Sequence, residues 1–321
     1  MTDQTIVVFG HKIPDTDAIA SALVMADWLN QQGLNATAYR LGEPNLETQF
    51  LLDFAKTVAP KLLTPEDLTK LYNPVLALTD HNESQQSIEN LKDFTIGYVI
   101  DHHKLGDLTT FEPAYIRIEP LGSACTILYK MYQEYGLTPT PTLATLMAGA
   151  MISDTLNLTS PTTTDSDRKF LPKVLNLANI QDGNAFANQL FMAKSNISYL
   201  SDEQLVTADY KQFNFTDTAG KVAKWGIAVI ETVNPAQAFG RVNGIQTASQ
   251  TVRQRDGLDY FLVLIVDIVT QRAWAVASVD EQNQMIIKAF KAELQESLLD
   301  LGNLVSRKKQ FVPTLEKFYG K

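Results

Sequence analysis

The sequence carries four histidines, and each stands near a carboxylate in a short polar stretch that follows an apolar run. His11 lies with Asp15 and Asp17 in "GHKIPDTDAIAS", His81 follows Asp80 in "ALTDHNE", and His102 and His103 follow Asp101 in "VIDHHKLGD". Asp154 adds another acid in "MAGAMISDT". Carboxylate oxygen and imidazole nitrogen form a donor set suited to Mn, Co, Zn or Mg rather than to a soft metal. Several carboxylates gathered in one crevice repel one another unless cations are present, so the pattern predicts at least two metals. Metals about 3.5 to 4 Å apart need a crowded shell and often a shared carboxylate. Asp80, arriving from a neighbouring strand, is the bridging candidate, and His102 and Asp154 would close the shell. Taken singly, these residues have plainer uses. Asp17 suits the N-cap of the helix it opens, Asp80 and Asp101 suit turns, and a histidine of the pair could be structural. Those uses do not explain why every histidine and several acids fall at one edge.

That edge belongs to a repeating strand, loop and helix. "TIVVF" is an apolar run closed by Gly10, and "TDAIASALVMADWLNQQG" has helical spacing and a glycine stop. The alternation returns in "ATAYRLG" and "NLETQFLLDFAKTVA", in "NPVLALTD" and "SQQSIENLKD", and in "TIGYVIDHH" and "SACTILYKMYQEYG". This predicts an α/β domain with a mainly parallel sheet. Such sheets bind ligands beyond the carboxyl ends of their strands, where the histidines and acids stand. From about residue 196 the pattern changes. "KWGIAVIETV", "YFLVLIVDIV" and "RAWAVASV" read as strands, the last two as an antiparallel pair. "QMIIKAFKAELQESLL" reads as an amphipathic helix, and Asp256 as the cap of a short helical piece. The expected organisation is a catalytic, metal-binding domain at 1–187, a linker or hinge at 188–195, and a smaller mixed α/β domain at 196–321.

Composition narrows the partners. With 27 Lys and Arg against 36 Asp and Glu, the formal charge is -9, which disfavours nucleic acid while permitting a local basic pocket. The single cysteine, Cys125, excludes a disulfide framework or a thiolate cluster and fits a reducing cytosol. "MTDQTIVVFGHK" lacks the pattern of a secretory leader. "YFLVLIVDIV" is too short for a membrane span and contains Asp267.

The stretches "GHKIPDTDAIAS", "ALTDHNE", "VIDHHKLGD", "PLGSACTI" and "MISDTLNLTSPT" closely resemble the manganese-dependent (family II) inorganic pyrophosphatases of the DHH phosphoesterase superfamily. "DYKQFNF" and "VSRKKQFVPTLEKFY" resemble that family's second domain, called DHHA2. The resemblance implies hydrolysis of pyrophosphate to two orthophosphates by a metal-activated bridging water or hydroxide. It implies one Mn2+ at His11, Asp15 and Asp80, and a second at Asp17, Asp80, His102 and Asp154. Cobalt is an alternative ion, and an additional Mg2+ arrives with substrate. Asp17 would orient the nucleophile or accept its proton, His103 would lie near the phosphate, and Asp101 would support an imidazole. Lys211, Arg307 and Lys308 would bind phosphate, Arg307 through its fork and Lys308 as a point charge. By themselves Lys211 reads as a solvated lysine and "RKK" as a surface charge run, with Lys309 outside the site. Cys125 falls where no catalytic thiol is expected and reads as a small, partly buried residue. A cytoplasmic homodimer joined through the first domain is also implied, with closure about a hinge near 183–196. No long insertion follows "ALTDHNE", so the nucleotide-binding regulatory modules of some relatives are not expected.

The alternative within the superfamily is a phosphodiesterase of short oligonucleotides or cyclic dinucleotides. Its glycine-rich "GGGH"-like motif does not occur here. A metal or nucleotide sensor without turnover would leave the "RKK" cluster unexplained.

Overall fold

The computed structural model describes residues 4–320; residues 1–3, which open the stretch read for a leader, and residue 321 lie outside the described residues. The chain divides into two compact units, Met1–Ala193 and Lys194–Lys321. In the first, the strands are β1 (Ile6–Phe9), β2 (Ala36–Arg40), β3 (Lys61–Leu62), β4 (Val75–Thr79), β5 (Thr95–Asp101) and β6 (Tyr115–Ile118). The helices are α1 (Thr16–Gln31), α2 (Leu46–Phe54), α3 (Pro65–Lys70), α4 (Ala124–Glu134), α5 (Pro141–Thr155), α6 (Asp165–Leu177) and α7 (Gly183–Lys194).

The six strands form one sheet in the order β3-β2-β1-β4-β5-β6, and every adjacent pair is parallel. β1 is central and wholly buried, as its unbroken "IVVF" demands. The chain builds outward from β1 to β3, then crosses to the other side of β1 to begin β4. At such a reversal the loops after the two strands part and leave a crevice. The loop after β1 begins at Gly10, where an added Cβ would lie 2.5 Å from the Ala18 carbonyl oxygen. Only glycine lets the strand end approach the first turn of α1 so closely. α1 and α5 are buried on nearly every side, which gives the crevice rigid walls.

One expected helix differs. "SQQSIENLKD" is not a helix but two short 3-10 turns, Ser84–Gln86 and Leu91–Asp93. Asn90 between them takes a left-handed φ of 56°, and few apolar residues recur at helical spacing to hold a longer helix. Residues expected as a linker remain helical through Lys194, the last residue of α7.

The second unit contains α8 (Asp202–Thr207), β7 (Tyr210–Thr216), β8 (Val222–Thr232), α9 (Pro235–Phe239), α10 (Val242–Arg255), β9 (Tyr260–Asp267) and β10 (Arg272–Ala277). α11 (Asp280–Phe290), β11 (Glu293–Gln295), β12 (Leu298–Asp300), a π-helical turn at Arg307–Phe311 and α12 (Val312–Tyr319) follow. Its mixed sheet runs β11-β12-β10-β9-β8-β7, with β8 and β9 parallel and β9 and β10 the expected antiparallel pair. One core gathers around Trp225, Leu262 and Phe311, another around Ile245, Val252 and Phe261. The helix expected through "QMIIKAFKAELQESLL" stops at Phe290, because Lys291 turns left-handed at φ 55°. The rest folds back as the β11–β12 hairpin, which pairs β12 with β10. Asp256 ends α10 rather than capping a new piece.

Candidate metal centre

Each ligand candidate is placed by a strand or helix end. Gly10 and His11 leave β1, Asp80 leaves β4, and Asp101 ends β5 just before His102 and His103. Asp15 is the N-cap of α1, accepting from the Ala18 amide at 3.0 Å. The capping role considered for Asp17 therefore belongs to Asp15. Asp17, buried within the first turn, instead reaches the start of α4. Its Oδ1 accepts from Ser123 Oγ (2.8 Å) and the Cys125 amide (3.1 Å), and its Oδ2 accepts from the Ala124 amide (2.6 Å). The free amides and positive end of α4 favour that carboxylate.

Three groups of ligand atoms converge, each within 4.8 Å: His11, Asp15 and Asp80; Asp17, His102 and Asp154; and Asp80, His102 and His103. Asp80 joins them, with Oδ2 3.4 Å from His11 Nε2 and Oδ1 3.1 Å from His102 Nε2. His102 Nε2 also lies 3.9 Å from both Asp17 Oδ2 and Asp154 Oδ2. Its Nδ1 donates to the Leu121 carbonyl at 3.0 Å, which turns Nε2 toward the acids. Gly122, the next residue, donates its amide to the buried carboxylate of Asp167 at 3.0 Å. Asp167 also accepts from Thr126 Oγ1 and from Thr164, so the loop that orients His102 is itself anchored.

The geometry fits divalent cations. Asp80 is 2% exposed, yet its Oδ2 has no hydrogen-bond donor. Its backbone holds φ 59°, an uncommon conformation that the surroundings must enforce. Burial, with the nearby Asp80 charge, pushes Asp17 up to about 6. Burial followed by the charges of Asp17, Asp15 and Asp80 raises Asp154 well above the carboxylate range. Burial opposes protonation of His11, but the carboxylates of Asp15 and Asp80 beside it prevail and raise it to about 10. The same contest raises His102 to about 9, through Asp80 and Asp17. Acids resisting ionisation beside imidazoles that hold protons describe a cluster short of positive charge.

His103 is half-exposed, and its Nδ1 bonds Asp101 Oδ1 at 2.9 Å, which raises the imidazole. Asp101 also accepts from the His102 and His103 amides and from Asn82. Asn82 links this carboxylate to the Lys104 carbonyl and the Gly106 amide. Asn82 and Asp167 are further supporting residues: the first stands inside "TDHNE", whereas in the sequence the second resembles any acid in a capping stretch. His81 is buried against Thr79 O at 2.9 Å and belongs to none of the three groups. Cys125 is fully rather than partly buried, and burial beside Asp17 pushes its thiol up.

In the second unit, Lys211 on β7 and Arg307 and Lys308 in the π-helical turn line a cleft of about 410 Å³ with Glu231 and Ser306. Arg307 is tethered: Nη2 bonds Asp209 Oδ1 at 2.7 Å, and Nη1 donates to the Asp209 and Ile227 carbonyls. Its Nε–H and one Nη2–H remain for another partner.

Comparison with known proteins agrees with this layout. The family model of the DHH family, N-terminal domain, matches residues 5–151, and that of the DHHA2 domain matches 188–318. The probable manganese-dependent inorganic pyrophosphatase of Deinococcus radiodurans is 44% identical over 98% of both chains. The Staphylococcus epidermidis protein of the same description is 38% identical over 96% of both. The crystal structure of the Methanococcus jannaschii putative family II inorganic pyrophosphatase matches with a TM-score of 0.63 and 33% identity, covering 98% of this chain and 99% of that one.

Proposed function

The chain belongs to the manganese-dependent inorganic pyrophosphatases, and from that premise we infer that it hydrolyses inorganic pyrophosphate to two orthophosphates. The observation that carries the reading is the buried Asp80, whose two oxygens face His11 and His102 in adjoining ligand groups. His11, Asp15 and Asp80 would hold one manganese, and Asp17, Asp80, His102 and Asp154 the other, with cobalt as a substitute and magnesium arriving with substrate. When bound, such ions lower the pKa of water toward neutrality and neutralise phosphate charge.

The protein's own residues divide the remaining work. Asp17 already accepts three hydrogen bonds, which favours orienting the nucleophile over taking its proton. His103, kept basic by Asp101, is suited to donate to a leaving oxygen. Lys211 and Lys308 supply point charges to phosphate oxygens, and Arg307 supplies its two remaining N–H groups. A cytoplasmic homodimer completes the proposal. The single cysteine supports a reducing compartment, and β6, at the edge of the first sheet with Tyr115 and Ile116 exposed, supports pairing there. No described helix is long and apolar enough to cross a membrane.

The test supplies manganese-loaded protein with pyrophosphate, a linear dinucleotide and a cyclic dinucleotide in parallel. Orthophosphate from pyrophosphate at a rate far above cleavage of either dinucleotide is expected. Preferential cleavage of a dinucleotide would overturn the assignment.

A further inference from the structure

Glu47 is a carboxylate that the chemistry above does not use. It lies in the first turn of α2, is 1% exposed, and gathers two hydroxyl groups on one oxygen. Thr16 Oγ1 donates to Oε2 at 3.1 Å, and Ser153 Oγ donates to the same Oε2 at 2.9 Å. Both hydroxyl residues are buried. Thr16 immediately precedes Asp17, and Ser153 immediately precedes Asp154.

We propose that Glu47 is a positioning residue for the metal centre, fixing Asp17 and Asp154 relative to each other through Thr16 and Ser153. The inference rests on the two-metal reading above and extends it. One acceptor shared by the first turn of α1 and the last turn of α5 sets how far apart those ends lie and how each is rotated. Either change would swing the next side chain away from His102 Nε2, which lies 3.9 Å from an oxygen of each acid. A purely structural contact between two buried helices would be met by apolar side chains without the cost of desolvating a carboxylate. Asp17 has a second support in the amides of α4. The larger loss on removing Glu47 therefore falls on Asp154. The group formed by His11, Asp15 and Asp80 depends on it less, because Asp15 is held by its own cap.

Manganese titration of the metal-stripped full chain, read from the electron paramagnetic resonance of free Mn2+, tests this. Wild type is expected to bind two equivalents. Glu47→Leu should bind the first within about threefold of wild type and the second at least about tenfold more weakly, the scale seen when a residue supporting a metal ligand is lost. Glu47→Gln keeps an acceptor oxygen and should stay within about threefold at both. Equal affinities in wild type and Glu47→Leu would overturn the positioning role, and so would an equal loss in both variants, which would assign the effect to charge alone. If Glu47→Leu does not fold, Thr16→Val with Ser153→Ala removes the two donors instead. That variant must show the same selective loss, and unchanged binding overturns the inference. A wild type that fails to bind two ions would overturn the two-metal reading itself.

Discussion

Asp80 concentrates three demands in one side chain: a left-handed backbone, burial, and two oxygens turned to different histidines. Asparagine tolerates the same backbone conformation but brings an amide where two cations need an anion. Asp80→Asn should therefore weaken manganese binding at both positions by at least about 100-fold, beyond the usual loss at a merely supporting residue. In chelator the variant should also melt below wild type, since it leaves the protonated His11 and His102 without the buried anion they share; calorimetry with and without manganese separates this loss from the loss of metal binding. Protons report on the same cluster. His11, raised to about 10, and His102, raised to about 9, are protonated at neutral pH without metal, and metal needs them neutral. Manganese uptake at pH 7 should release protons, and affinity should climb with pH until both values are passed. Titration calorimetry in buffers of different ionisation enthalpy checks this; equal proton release at pH 7 and pH 10 would contradict it.

The elements that hold these side chains were largely legible as apolar runs. β1, β4 and β5 each end where a histidine or acid begins, and the 3.6-residue spacing of α1 is plain in "AIASALVMADWL". The partners of side chains across the fold were not. Asp17 looks like an ordinary helix cap, and only packing shows that it accepts from the first amides of α4 instead. Nothing local marks the left-handed Lys291 that ends α11 and leaves the rest of the expected helix to fold as a hairpin. Gly10 belongs to this scale, since its missing side chain lets β1 meet α1. Gly10→Ala places a Cβ 2.5 Å from the Ala18 carbonyl oxygen and should cost about 1–3 kcal/mol, the usual range for overpacking. Thermal denaturation and manganese affinity should fall together, because Asp15 and Asp17 ride on the displaced helix. A stable variant with weakened metal binding would contradict that coupling.

Across the whole molecule, an acidic chain carries a compact set of cations in one cleft of the second unit. The sequence marked Lys211, Arg307 and Lys308 through its resemblance to a family, while composition alone left them as surface charges. The tether of Arg307 to Asp209 and to two carbonyls could not be read from the sequence, because it depends on how the π-helical turn meets β7 and β8. The cations should separate by experiment. Lys308→Ala should raise KM for pyrophosphate roughly tenfold, as expected for losing one hydrogen bond to a charged group, and leave manganese stoichiometry intact. Arg307→Ala should raise KM and also lower the melting temperature. The joint requirement for two cations and one bridging acid is most directly tested by titrating manganese into metal-stripped protein while following orthophosphate release from magnesium pyrophosphate. Turnover should be absent in chelator, rise to a plateau at two equivalents per chain, and fail to appear in Asp80→Asn. Full turnover in chelator, or a wild type loaded with two manganese ions that releases no orthophosphate, would contradict it.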